Sequence, residues 1–167
     1  FIDCFSDLID LEVKNEYEAL DSKPERIPQK IKTIILIRLE LCQIYKEAIR
    51  CSLSITALPK NSKKSLNILY RTCNSIWRIA GDKSTDFSFY TKRATLAAIY
   101  TSTLLFWLNE SSINQEETSA FLDRRLNDIN KISSLKKPFS VLKKVSKNIN
   151  KTNKKIKIKP VFDILKK

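Results

Sequence analysis

The sequence predicts an all-helical protein, and three observations support that fold class. The 167 residues include one glycine, Gly81, and five prolines, too few turn-forming residues for a many-stranded sheet. Apolar residues recur every three or four positions, which places them on one face of a helix. They also make up 43% of the chain, which is enough to build a core.

The first two helices are delimited by polar and proline residues. Residues 1–20 show helical apolar spacing, and Asp3 is a plausible cap. Pro28 suits the first turn of a long second helix, which we expect to reach about Ile55 before Pro59 ends it.

The third helix has a signal at each end. Asn61 can cap its start, and apolar spacing continues from there to Ala80. Gly81 follows at once and is expected to end the helix in the left-handed conformation.

Two further helices are predicted after Gly81. Ser84–Thr85 can start one that extends to about Leu108. Asn114 with Glu117 three residues later is typical of a capping box, and predicts a helix to about Ile132.

The composition argues against an enzyme. The absence of histidine removes the commonest general base and metal ligand. No nucleotide-binding or nucleophile motif occurs, so no cofactor and no metal are expected. The cysteines lack metal-ligand spacing and predict reduced, buried thiols; they are Cys4, Cys42, Cys51 and Cys73.

Positive charge is concentrated at the C-terminal end. Residues 131–167 hold 13 lysines and one acidic residue, Asp163, and so carry +12 of the net charge of +13. We therefore predict a nearly neutral helical domain over residues 1–132 and a basic extension over residues 133–167. A basic extension on a neutral body fits an anionic membrane surface. No apolar run reaches the ~18 residues of a spanning helix.

Residues 134–149 form an amphipathic pattern. On a helical wheel, the apolar and basic residues occupy separate arcs of about 120° each. We predict that this helix lies on a membrane; the alternatives are that its apolar face covers the core, or that it is a nucleic-acid arm. The predicted membrane-binding residues are Leu135, Lys136, Phe139, Leu142, Lys143, Lys144, Val145, Lys147 and Ile149.

The most specific sequence block runs from Trp77 to Arg93 and reads W-R-I-A-G-D-K-S-T-D-F-S-F-Y-T-K-R; F-L-D-R-R follows at residues 121–125. This block resembles the signature of the Coq-nine family of ubiquinone-biosynthesis proteins, and the resemblance covers roughly residues 30–132. It departs from the pattern at Phe89, where many relatives have tryptophan.

The resemblance implies a fold like that of TetR-type transcriptional regulators, with a helical ligand-binding body. The amino-terminal helix-turn-helix is largely absent from this chain. Family members bind isoprenoid or other lipids and associate with the demethoxyubiquinone hydroxylase, and a C-terminal amphipathic helix aids membrane attachment. The expected location is thus the cytoplasmic face of a bacterial inner membrane, or the matrix side of the mitochondrial inner membrane in a eukaryote.

The resemblance also suggests further roles. Helices 85–109 and 114–132 would form a homodimer interface by analogy. A greasy quinone precursor would lie in the body, and tight packing is the alternative for each lining position. Those candidates are Ile35, Leu39, Leu69, Leu96, Tyr100 and Leu104.

The hydroxylase contact is expected at the start of the fourth helix. Phe89 and Tyr90 cannot both enter one core, so one should be exposed as a protein-contact residue. Lys92 and Arg93 would join it, unless they form a solvated or ion-paired face.

The leading hypothesis is therefore a non-catalytic accessory protein that presents a ubiquinone precursor to the hydroxylase. The alternative is a ligand-responsive regulator of the TetR type. Residues 1–130 contain no basic recognition helix, so nucleic acid is not an expected partner.

Overall fold

The computed structural model describes residues 2–83, 87–110 and 115–134. In these ranges all regular structure is helical, which confirms the all-α prediction. The α-helices are α1 (Ile2–Ala19), α2 (Ile27–Leu41), α3 (Lys46–Thr56), α4 (Ser62–Ile79), α5 (Phe87–Asn109) and α6 (Glu116–Ser134), and short 3-10 turns occupy Gln43–Tyr45 and Pro59–Asn61.

The chain divides into two compact units, residues 1–127 and 128–167. The predicted boundary between residues 132 and 133 stays a prediction. In the first unit α1 packs on α2 and α4, and α4 also packs on α5. Each large side chain buried there contributes on the order of 2 kcal/mol. Core members include Ile9, Val13, Ile34, Ile35, Leu39, Ile76, Leu96, Trp107 and Leu122.

Gly81 ends α4 as predicted. Its φ of +89° lies in the left-handed region, which a side chain disfavours. The Gly81 N–H donates to the Arg78 carbonyl at 3.0 Å, and the Asp82 N–H donates to the Trp77 carbonyl at 2.9 Å. These two bonds form a Schellman motif, which satisfies carbonyls that the helix leaves without partners.

The single long helix predicted from Pro28 to Ile55 is wrong, because the chain breaks at Gln43–Tyr45 between α2 and α3. No glycine or proline marks the break, and its cause is tertiary. The turn changes the helical phase, so that Lys46 and Arg50 donate to the Glu110 and Leu108 carbonyls at the end of α5.

Two smaller predictions also need correction. The Asn61 side chain does not cap α4; its Nδ2 donates to the Ile55 carbonyl at 2.8 Å and closes the preceding turn. All four cysteines are free thiols, but only Cys42 and Cys73 are buried. Cys4 and Cys51 are exposed because they lie on solvent-facing positions of α1 and α3.

Within the described ranges, the structure contains no helix with both the length and the apolar character needed to span a bilayer.

Candidate functional site

The end of α4 and the start of α5 form a corner, defined here as Asn74, Trp77, Asp82, Phe89, Tyr90, Lys92 and Arg93. The Schellman turn at Gly81 brings the two helices together. Trp77 Nε1 donates to the Lys92 carbonyl at 3.1 Å, and Lys92 Nζ lies 5.4 Å from the centroid of the Trp77 ring. These contacts fix the direction in which α5 leaves the corner.

A buried carboxylate stabilises the corner. Asp82, with a side chain only 5% exposed, accepts from Lys92 Nζ at 2.7 Å and from Arg93 Nη1 at 3.3 Å. Arg93 is 4% exposed and also donates to Asn74 Oδ1 and the Phe89 carbonyl. Arg93 therefore has the contacts of an interior ion pair, which is the alternative stated for it above; a role in partner binding stays a prediction.

The aromatic pair behaves as expected. Phe89 is half-buried, with its ring centroid 3.3 Å from the Arg93 guanidinium carbon. Tyr90 is 67% exposed, and its ring meets Phe89 edge-on at 5.2 Å. The prediction that one of the pair lies at the surface is confirmed. Tyr90 is thus an exposed aromatic side chain on a well-fixed support.

The candidate lipid-lining residues lie on α2, α4 and α5, which contact one another. Four of them are buried in the core, and Leu69 and Leu104 are half-buried. Such burial fits a tightly packed core as well as a lipid cavity, so lipid binding stays a prediction. The buried four are Ile35, Leu39, Leu96 and Tyr100.

Sequence reasoning missed a buried charged cluster centred on Arg38, which is 5% exposed. Its guanidinium forms an ion pair with Asp10 and donates from Nε to the Tyr100 hydroxyl at 2.9 Å. Nη2 donates to the hydroxyls of Ser6 and Thr72 at 3.3 and 3.4 Å. The available signal was position: Arg38 follows Ile34 and Ile35 on the apolar stripe of α2.

The cluster alters the ionisation of its members. Burial raises the pKa of the Tyr100 hydroxyl, and the positive charge of Arg38 opposes that rise. Burial likewise raises the pKa of the Cys73 thiol to about 12. Both groups therefore stay neutral at physiological pH and serve as hydrogen-bonding or packing groups.

Sequence reasoning also missed the cap of α6. Asn114 lies outside the described residues, and the Glu117 N–H is held by Glu110 from the end of α5. The two Glu110 oxygens accept from the N–H groups of Glu117 and Thr118 at 3.2 Å, and the Thr118 hydroxyl also donates to the carboxylate. A negative charge there favours the helix N-terminus.

The predicted membrane-binding residues, from Leu135 to Ile149, all lie outside the described residues.

Comparison with known proteins identifies the family. Residues 62–133, which include the corner and the start of α6, match the family model described as COQ9. The chain is 39% identical over 107 residues to the ubiquinone biosynthesis protein COQ9, mitochondrial, of Rattus norvegicus and to that of Homo sapiens. These matches cover 64% of this chain and 34% of each relative.

A third relative extends the alignment. The ubiquinone biosynthesis protein coq9, mitochondrial, of Schizosaccharomyces pombe is 31% identical over 129 residues, which cover 74% of this chain and 52% of that protein. The chain thus spans about a third of the length of its mammalian relatives and about half of the fission yeast one. The chain belongs to the COQ9 family.

Proposed function

We propose that this chain acts in mitochondrial ubiquinone biosynthesis as a non-catalytic accessory protein that presents a lipid precursor to the demethoxyubiquinone hydroxylase. The observation that carries the proposal is the family match over residues 62–133, which spans the whole corner. Relatives that match there are named for ubiquinone biosynthesis and for mitochondria. The absence of histidine supports the non-catalytic part.

The lipid would lie between α2, α4 and α5. Ile35, Leu39 and Leu96 would contact its isoprenoid chain. The Tyr100 hydroxyl already accepts from Arg38 and keeps its own proton, which it can donate to a quinone oxygen. Chain release from the core would require these helices to separate, as in pockets that form only when a ligand enters. A homodimer through α5 and α6 is part of the proposal, and Leu105, half exposed on α5, would lie in its interface.

The docking part of the proposal rests on Tyr90. The Tyr90→Ala variant should weaken binding of purified hydroxylase by about 30-fold, since a central aromatic hot spot contributes about 2 kcal/mol. Its thermal unfolding should be unchanged, because Tyr90 is mostly exposed. Surface plasmon resonance measures the affinity.

Tyr70→Ala is the matched control, since Tyr70 is an exposed tyrosine on α4, outside the corner. Equal affinities for the wild type and both variants would show that the hydroxylase does not dock at Tyr90.

The membrane part of the proposal rests on residues 134–149. Changing Lys136, Lys143, Lys144 and Lys147 to Glu should reduce flotation with anionic liposomes more than tenfold, because each lysine near such a surface contributes about 1 kcal/mol. A control with Lys60, Lys63 and Lys83 changed to Glu reverses similar charge on the helical body. Flotation that falls equally in both variants would count against a membrane-binding helix and for a general charge effect.

A further inference from the structure

A cleft of about 690 Å³ opens on the first unit between α1, α4 and the start of α2. Its volume falls in the range of small-molecule sites, roughly 300–1,000 Å³. The lining is mostly polar and charged, unlike the predicted lipid cavity, and shares none of its residues. The residues used below are Asp7, Asp10, Lys14, Glu18, Lys23, Lys30, Arg71, Arg78 and Gly81.

All three carboxylates in this lining already have a basic partner. Asp7 pairs with Arg71, and Asp10 pairs with the buried Arg38. Glu18 lies 3.9 Å from Lys14 Nζ on the next turn of α1. These pairs neutralise the acidic side of the cleft.

Three cations in the lining have no carboxylate partner in the described part of the chain. Lys30 and Arg78 form no ion pair there, and Lys23 Nζ donates to the main-chain carbonyl of Glu18 at 2.8 Å. Three uncompensated positive charges around one concave surface concentrate the electrostatic field inside it. The cleft is therefore complementary to a compact anion.

The helix ends at the cleft do not oppose an anion as strongly as bare carbonyls would. The Trp77 and Arg78 carbonyls at the end of α4 accept the two Schellman bonds. The Glu18 carbonyl at the end of α1 accepts from Lys23. The negative ends of both helices are thus partly covered by donors.

We propose that this cleft binds a small phosphate-bearing molecule, with Lys23, Lys30 and Arg78 contacting the phosphoryl oxygens. Arginine and lysine form short, charge-assisted hydrogen bonds with phosphate. A concave site of this size suits a small molecule better than an extended acidic peptide. The proposal is independent of the hydroxylase contact and of the apolar lipid cavity.

Gly81 provides a local probe of this site. It is the only glycine of the sequence and it lines the cleft, so protein labelled with ¹⁵N-glycine gives one amide signal from the site. Titration of the full chain with inorganic pyrophosphate should shift this signal saturably. Signals from pyrophosphate on the lysine-rich residues 131–167 would not interfere, since those residues contain no glycine.

The Lys30→Gln, Arg78→Gln double variant should bind pyrophosphate at least about tenfold more weakly, since two charge-assisted contacts are lost. The Lys60→Gln, Lys63→Gln variant carries the same charge change outside the cleft and should bind like the wild type. Thermal unfolding of both variants establishes that they are folded.

The proposal is overturned if the Gly81 signal does not move, or if it moves equally in the double variant. It is also overturned if only a glutamate-rich peptide moves it. A second arm with phosphatidic acid vesicles identifies the source of the phosphate: broadening of the Gly81 signal that depends on Lys30 and Arg78 assigns a lipid headgroup. A response to pyrophosphate alone assigns a free phosphate compound.

Discussion

The Arg38→Met variant is expected to lose about 3–5 kcal/mol of unfolding free energy at pH 7, the cost of removing one partner of a buried ion pair. Met keeps most of the apolar volume but cannot hold Asp10 or donate to the Tyr100, Ser6 and Thr72 hydroxyls. Urea denaturation followed by circular dichroism measures the loss. Arg26→Met is the control, since Arg26 is exposed and should change stability by less than about 0.5 kcal/mol.

The same variant should depend on pH in a defined direction. Burial raises the pKa of Asp10, and the Arg38 guanidinium opposes that rise. Without Arg38 the folded-state pKa rises further above the unfolded value of about 3.9. The folded state then binds the proton more tightly, so this contribution to stability is full below the unfolded pKa and is lost as pH rises through the folded pKa. The deficit relative to wild type should therefore be smaller at pH 4.5 than at pH 7.

A double variant separates charge from packing in this cluster. Arg38→Met combined with Asp10→Asn removes both charges, so it should recover at least half of the stability lost by Arg38→Met alone. A double variant as unstable as the single one would mean that the hydroxyl contacts, and not the buried carboxylate, account for the loss.

Local sequence signals predicted the parts of the fold that local structure determines. Gly81 ends α4 because no other residue type adopts its φ without strain, and that signal can be read from one position. The break at Gln43–Tyr45 could not be predicted in this way. It places Lys46 and Arg50 against carbonyls 64 and 58 residues away, and nothing in the neighbouring sequence records those partners.

The candidate site divides along the same line. The exposure of one residue in the Phe89–Tyr90 pair follows from helix geometry, since adjacent positions cannot face one core. The partner of Arg38 is 28 residues away and the donors on Glu110 come from the next helix, so both depend on the packing of separate elements. Ion pairs and caps of this kind are tertiary, and one sequence without its packing does not specify them.

Asp82→Asn should lower the unfolding free energy by about 3 kcal/mol, because it leaves the Arg93 guanidinium buried without a counter-charge. Lys92→Met removes the other partner of the same carboxylate and should cost less than about 1 kcal/mol, since the Lys92 side chain is 38% exposed and solvent screens its charge. Thermal and urea unfolding of the two variants compare the buried and exposed halves of one charge network.

The comparison also bears on docking, because Arg93 contacts both the Phe89 ring and the Phe89 carbonyl beside Tyr90. In Asp82→Asn the guanidinium loses its anchor and the first turn of α5 should loosen. Hydroxylase affinity should then fall although Tyr90 is intact, and amide exchange in residues 88–93 should accelerate. Equal stabilities for Asp82→Asn and Lys92→Met would mean that Asn74 and the Phe89 carbonyl suffice to hold Arg93. The corner would then owe its rigidity to hydrogen bonds alone and not to the carboxylate.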